Sequence, residues 1–334
     1  MWRLLKLCAL SVLVYVAIFG FFVDRPLSLG VLRLELLQKA ARLAALPSPK
    51  LVILAGSDGP YSHSCEAMSQ MLNIPCENAG IAVGIGLDDI FIRYAPHLHS
   101  GDVVYMPMEF AQYTASSAAY RAAVDGAFLL RHDRGVLMQL PLPRVAGAVF
   151  CCTLGDLSEA LAEMPLVDLG VIKPESLLAG EYDAQGDRVD NLLSGRDTAL
   201  LPKAPRKLPP AAEIEAGYGS SLIAAFVARE AREGVIVVGG MPVGYTQPQP
   251  DQLIAALKSV YIRNGGRFLL LPDHSEYPRA DFFNSEDHLV RPCQFMHSVF
   301  VAQHLAVLLG RRVVPPSAAV SRLAAECPSA ASAN

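Results

Sequence analysis

Four short apolar runs constrain the fold of this chain most: LVILA at 51–55, DVVYMPM at 102–108, VIVVG at 235–239 and FLLLP at 268–272. A strand that is apolar throughout, rather than at alternate positions, is buried on both faces, which is the habit of parallel sheets. Between the runs the pattern changes to a helical period, over 61–72, 87–95, 115–135, 155–164, 219–233, 251–264 and 293–309. Strands alternating with helices imply right-handed crossovers. The sequence therefore predicts an α/β domain over residues 50–314, with a parallel sheet covered on both faces in three α/β/α layers. Within it, residues 166–215 are polar, proline-dotted and lack apolar runs of strand length, which reads as an insertion or cap. From Pro315 the chain turns Ala/Ser/Pro-rich, and residues 315–334 read as a mobile tail.

The front of the chain imposes a second constraint. Residues 7–23, LCALSVLVYVAIFGFFV, carry no charge. As a helix they span roughly 26 Å, at the short end of what crosses a bilayer. Arg3 and Lys6 precede the run, while Asp24 and Arg25 cancel after it. The positive-inside rule then predicts a cytoplasmic N-terminus and an extracytoplasmic (periplasmic) main domain. Phe21, Phe22, Val23 and Asp24 offer no small-residue cleavage site, so residues 1–26 read as a cytoplasmic tip and an uncleaved signal-anchor. Residues 27–49 follow as a linker, helical over 27–46 and closed by Pro47 and Pro49.

Charged residues make up only 18% of the 334, and the net charge is −4, which argues against disorder and against nucleic acid as the main partner. Of the seven cysteines none forms a C-x-x-C pair, so a structural zinc site is not expected. Outside the cytoplasm disulfides are permitted; Cys65 and Cys76 flank one predicted helix and could pair. Cys151 and Cys152 are adjacent and read as strand residues rather than a redox pair.

Ligands and catalytic groups in parallel sheets gather at the carboxyl ends of the strands. Three such ends are chemically loaded: Gly56-Ser57-Asp58-Gly59 after the first run, Glu109 after the second, and Asp273-His274-Ser275-Glu276 after the last, followed by Asn284 to His288. Ser57 lies on a tight strand-to-helix turn, where the free N–H groups of the helix start can hold an oxyanion. A serine hydroxyl becomes a nucleophile when an imidazole removes its proton, and His288 can supply one. The plain alternatives are a helix-capping serine and a hydrogen-bonded structural histidine. The glycines between Gly80 and Gly86 lack G-x-G-x-x-G order, so nucleotide binding is not expected.

The ordered blocks LVILAGSDGPYSHS, IPCENAGIAVGIGLDD, SGDVVYMPMEF and SEYPRADFFNSEDHL resemble the SGNH (GDSL-like) hydrolase superfamily. Within it they are most similar to the membrane-anchored envelope branch that includes alginate-acetylation and D-alanyl-transfer proteins. The resemblance covers about half the domain. It implies that Ser57 is the nucleophile and His288 the general base, with backbone N–H groups near Asp58 and Gly80 holding the oxyanion and Asn78 beside them. Two departures stand out. Glu109, acceptor-only when ionised, occupies the strand end where the superfamily carries an asparagine donor. The positions three and four before the histidine, where relatives carry the acid, hold Ser285 and Asn284. Asp287 is then the nearest carboxylate in sequence, and Asp273 is the alternative orienting acid.

The activity so implied is acyl-ester hydrolysis or O-acetyl transfer on an envelope or secreted polysaccharide. The membrane tether suits a membrane-bound acyl-donating partner, and no metal or organic cofactor is implied. Two rivals are a catalytically inactive scaffold or glycan-binding relative and an α/β-hydrolase-type esterase with a different sheet order.

Overall fold

A computed structural model describes residues 1–121 and 125–331. In chain order the elements are α1 (Trp2–Ala17, continued by a π turn over Ile18–Phe22), α2 (Leu29–Ala45), β1 (Leu51–Ile53), α3 (Asp58–Ser62), α4 (Cys65–Leu72), β2 (Cys76–Asn78) and α5 (Leu87–Tyr94). Then come β3 (Val103–Met106), α6 (Phe110–Thr114), α7 (Ser117–Arg121), α8 (Asp125–His132), α9 (Arg134–Leu137), α10 (Leu142–Val149), α11 (Leu154–Asp168) and α12 (Pro174–Leu178). The last third holds α13 (Ala211–Ala216), α14 (Tyr218–Arg232), β4 (Ile236–Gly240), β5 (Gly244–Tyr245), α15 (Asp251–Ile262), β6 (Arg267–Leu269), β7 (Glu276–Tyr277), α16 (Arg291–Leu309), α17 (Ala318–Ala325) and α18 (Pro328–Ala331).

These residues form two compact units. The first comprises Met1–Leu37, Gly84–Arg93 and Ser116–Ala179. Its leading helix, Trp2–Phe22, has mean hydropathy 2.3 and is largely exposed, so it is long and apolar enough to cross a membrane. α16 is also long and apolar enough by composition, but more than half of it is buried. Cys151 and Cys152, expected on a strand, lie in the turn between α10 and α11.

The second unit, Gln38–Val83, Tyr94–Ala115 and Gly180–Asn334, holds a five-stranded parallel sheet in the order β2-β1-β3-β4-β6. Four of its strands coincide with the apolar runs. The fifth, β2, was not expected, because Cys76-Glu77-Asn78 is a three-residue edge strand with no apolar run; Leu51 pairs with Cys76 and Ile53 with Asn78. Register at the strand entrances is tied by Asp102, whose buried carboxylate accepts from Lys50 Nζ at 2.8 Å, Lys50 N at 3.0 Å and His99 N at 2.9 Å. Leu51, Ile53, Val103, Tyr105, Val238 and Leu269 pack with α4 and α16 into one apolar core. On β4 the residue after Val238 is Gly239, whose side-chain direction is opposite. A Cβ there would collide with the ring of Tyr261 on α15.

The stretch expected as an insertion or cap divides at Gly180. Residues 180–215 are woven into the sheet unit: Asn78 N donates to Gln185 O at 2.8 Å, Arg188 N to Pro60 O at 2.9 Å, and Arg291 N to Asn191 O at 2.7 Å. Residues 315–331, expected as a mobile tail, carry α17 and α18; residues 332–334 lie outside the described residues. Val320 is buried there, and a disulfide joins Cys327 to Cys293 of α16. The expected Cys65–Cys76 pair is also a disulfide.

The Cys293–Cys327 bond closes a separation of 34 residues. Chain entropy gives such a link about 3–4 kcal/mol. Cys327→Ser should lower the urea midpoint accordingly and make the chain after Leu309 the first site of protease cleavage. An unchanged midpoint would show that α17 and α18 are held by packing alone.

Candidate functional site

β1 and β3 run side by side, Ile53 opposite Tyr105, so the residues that follow them emerge at the same carboxyl edge. After β1 the chain turns through Gly56, and Ser57 stands at the N-cap of α3, half-buried. After β3, Glu109 caps α6, its N–H donating to Gln112 Oε1 at 3.0 Å. The Glu109 side chain reaches back across the edge. Its Oε1 accepts from the backbone N–H of Asp58 at 3.2 Å and, over a long 3.5 Å, from the Ser57 hydroxyl. Any Cβ at position 56 would collide with that oxygen. Gly56 is thus a requirement of the contact.

His288 sits in a short loop closed by a bridge between Phe282 and Leu289 and by Phe283 N donating to His288 O at 2.7 Å. Its Nδ1 lies 2.7 Å from Asn284 Oδ1, and its ring stacks on Tyr61 of α3 at 3.8 Å and 8°. Ser62 Oγ donates to Asp287 O at 2.8 Å, tying the loop to the same helix. Burial, helped by nearby Arg188, pushes the imidazole down to about 3, so it is neutral at physiological pH. Assigned with the Asn284 amide oxygen toward the ring, Nδ1 carries the proton. Among the described residues no hydrogen bond reaches Nε2, which is then the open lone pair.

Around Ser57 the charge is unbalanced. Asp58 is fully buried, and its Oδ2 accepts from Val243 N at 3.3 Å. Burial, and then Glu109 and Asp287, push its carboxyl well up. Burial foremost, with Asp287 adding repulsion, lifts Glu109 to about 7 against the pull of the Asp58 N–H and Arg206. Asp287 is raised by burial although it is ion-paired with Arg206. Arg206 also binds Val243 O at 2.7 Å, while its backbone N–H donates to Glu286 at 2.8 Å. One guanidinium faces several carboxyls, and desolvated like charges cannot all ionise. The cleft beside them, about 680 Å³, is lined by Glu109, Arg206, Lys207, Pro210, Glu213 and Asp287.

The structure thus gathers Ser57, Asp58 and Glu109 at one strand edge and hangs the His288 loop on the helix that Ser57 begins. No hydrogen bond joins Ser57 to His288; the hydroxyl's partner is Glu109. Two expected roles are corrected. Asp287 does not orient the imidazole: the ring's Nδ1 faces Asn284, and the Asp287 carboxylate is ion-paired with Arg206. Asp273 does not either: it accepts from Tyr277 Oη at 3.0 Å and Ser275 N at 2.9 Å, capping the turn after β6. Asn78 is fully buried and donates to Gly59 O, His63 O and Asp187 Oδ1. Gly80 packs so closely beneath α3 that a Cβ would meet Gly56 O and Pro60 Cδ at 2.9 Å. Its N–H lies 3.4 Å from Asn78 Oδ1.

Asn284, Tyr61 and Arg206 were not assigned roles from sequence. The four-residue spacing pointed at position 284, but a carboxylate was sought there, and an amide oxygen accepts equally well. Arg206 lies in a proline-dotted stretch that carried no signal. Among the described residues one cluster has metal-ligand spacing, Asp281 with Cys293 and Cys327, and its two sulfurs are consumed by the disulfide. No family model, curated protein or solved structure matches this chain.

The Glu109 shift has a sign for stability. Its folded value, about 7, exceeds the ordinary 4.5, so its contribution is full below pH 4.5 and is lost as pH rises through 7. Glu109→Gln and the native chain should melt alike near pH 4.5, with the variant gaining from there to pH 7 and staying ahead at pH 8. Parallel melting curves across that range would show that Glu109 stays charged in the fold.

Proposed function

We propose that this is a membrane-anchored SGNH-like acyl-ester hydrolase or O-acyltransferase acting on an envelope or secreted polysaccharide. The observation that carries the reading is the pose of His288. A neutral imidazole, its Nδ1 held by Asn284, leaves Nε2 free on the loop packed against the helix that Ser57 begins. That is how a general base is prepared for a serine. The sheet order and the serine after the first strand support an SGNH-like three-layer arrangement over an α/β-hydrolase one. Two disulfides and the charges flanking α1 support a domain outside the cytoplasm.

For reaction, the Ser57 hydroxyl turns from Glu109 toward Nε2. Its oxygen attacks the acyl carbon as the proton passes to His288, and the carbonyl oxygen gains the charge. His288 then returns the proton to the departing alcohol. Water or an acceptor hydroxyl attacks the acyl-serine in the second half. Ionised Glu109 holds the Ser57 hydroxyl and the Asp58 N–H that an oxyanion needs. Protonated, it becomes a donor, as a carboxylic acid kept neutral in a buried site can. Glu109 then does the work of the missing asparagine.

A second reading, an inactive scaffold or glycan-binding relative, is favoured by that same Glu109 contact, since the nucleophile and one oxyanion donor are occupied. Turnover of acetylated oligosaccharides or a chromogenic ester by the full chain decides between the two. Ser57→Ala and His288→Ala should each lose about 10³-fold or more, and Asn284→Ala a smaller factor. Activity should fall as pH rises through 7, and Glu109→Gln, which donates at every pH, should flatten that limb. Absence of both turnover and serine-probe labelling in native chain and Glu109→Gln alike would establish the scaffold.

A further inference from the structure

The α10–α11 pair carries large apolar side chains that its own unit leaves uncovered. Leu142 is 83% exposed, Phe150 58%, Leu154 80% and Leu161 68%. The two helices meet at a 62° elbow in the turn that holds Cys151 and Cys152. That elbow is fixed beside the membrane-length helix. Tyr15 Oη donates to Cys152 O at 2.8 Å and accepts from Cys152 N at 2.9 Å, and Phe150 stacks on the Tyr15 ring at 5.9 Å. Tyr15 lies seven residues before Phe22, so the contact sits roughly 10 Å back along the helix from its end.

Charged groups mark the level where the helix ends. Arg134 donates to Gly20 O at 3.0 Å and lies over the Phe21 ring, and Asp24 pairs with His132 at 2.9 Å. From the elbow, α11 climbs back along the exiting chain. Arg25 pairs with Asp156 at 2.8 Å and also with Glu159, and Glu163 accepts from Leu27 N at 2.8 Å and Ser28 N at 3.1 Å. The acidic side of α11 is thus used against residues 25–28, which leaves Leu154 and Leu161 on the uncovered side.

We propose that the α10–α11 elbow is a re-entrant wedge seated in the bilayer leaflet that surrounds the C-terminal end of α1, with lipid as its partner. The inference rests on the reading that α1 spans the membrane. A surface continuous with a spanning helix and apolar outward meets acyl chains rather than water. A second crossing does not fit, since Asp156, Glu159 and Glu163 hold α11 on the side where the chain leaves α1.

The test uses single-tryptophan full-length chains. Trp2 is the sole tryptophan, so Trp2→Phe gives a dark background for Leu10→Trp, Leu154→Trp or Leu161→Trp. Each is reconstituted in phosphatidylcholine vesicles with or without brominated acyl chains, and iodide serves as the aqueous quencher. The Leu10→Trp and Leu154→Trp chains should emit to the blue and be quenched by brominated lipid. Leu161→Trp, about two turns further along α11, should be quenched less. Quenching of Leu154→Trp by iodide alone would overturn the wedge, and shielding from both quenchers would do the same by showing protein, such as a second copy, over the elbow. If Leu10→Trp itself escapes brominated lipid, the spanning reading of α1 falls, separately from the wedge.

Discussion

The candidate site depends on one contact, the reach of Glu109 across the end of the sheet to the Ser57 hydroxyl and the Asp58 N–H. It exists because β1 and β3 are adjacent and parallel, and because Gly56 has no side chain to fill the space. Both conditions are geometric. Once they hold, a desolvated carboxyl is fixed beside the serine, and its charge must be shared with Asp58, Asp287 and the single guanidinium of Arg206. Burial then makes Glu109 titrate near neutrality rather than in the usual carboxylate range.

The imidazole side of the site is built by separate means. A bridge between Phe282 and Leu289 narrows the loop, Asn284 fixes the ring's Nδ1, Tyr61 covers its face, and Ser62 ties the neighbouring carbonyl to α3. Arg188 lies over the Tyr61 ring, 4.8 Å from its centroid. Serine and histidine thus share one short helix as their common support, though no hydrogen bond joins them.

The strands with continuous apolar runs were legible: β1 and β3 are buried at every residue, and β6, an edge strand exposed at Arg267, was marked by the apolar residues that follow it. β2 was not, because Cys76-Glu77-Asn78 owes its strand state to pairing with Leu51, Val52 and Ile53 rather than to its own composition. Ser57 and Glu109 could be found at strand ends because topology gathers such residues there. Asn284 was missed because the search was for charge, whereas the imidazole needs only an acceptor. Arg206 was missed because nothing local distinguishes an arginine among prolines from a solvated one. The helices of residues 318–331 were hidden by small-residue composition, and Cys327 was the only mark of their attachment.

By itself, then, the sequence determined the spanning-length apolar helix, the parallel sheet and the concentration of polar chemistry at the strand ends. Each follows from burial patterns that repeat at fixed local spacing. Tertiary structure alone decided which arginine pairs with Asp287, which carboxyls crowd Ser57 and which side chains stay uncovered on the α10–α11 elbow. Those outcomes turn on distances between segments up to hundreds of residues apart, and no local pattern encodes a distance.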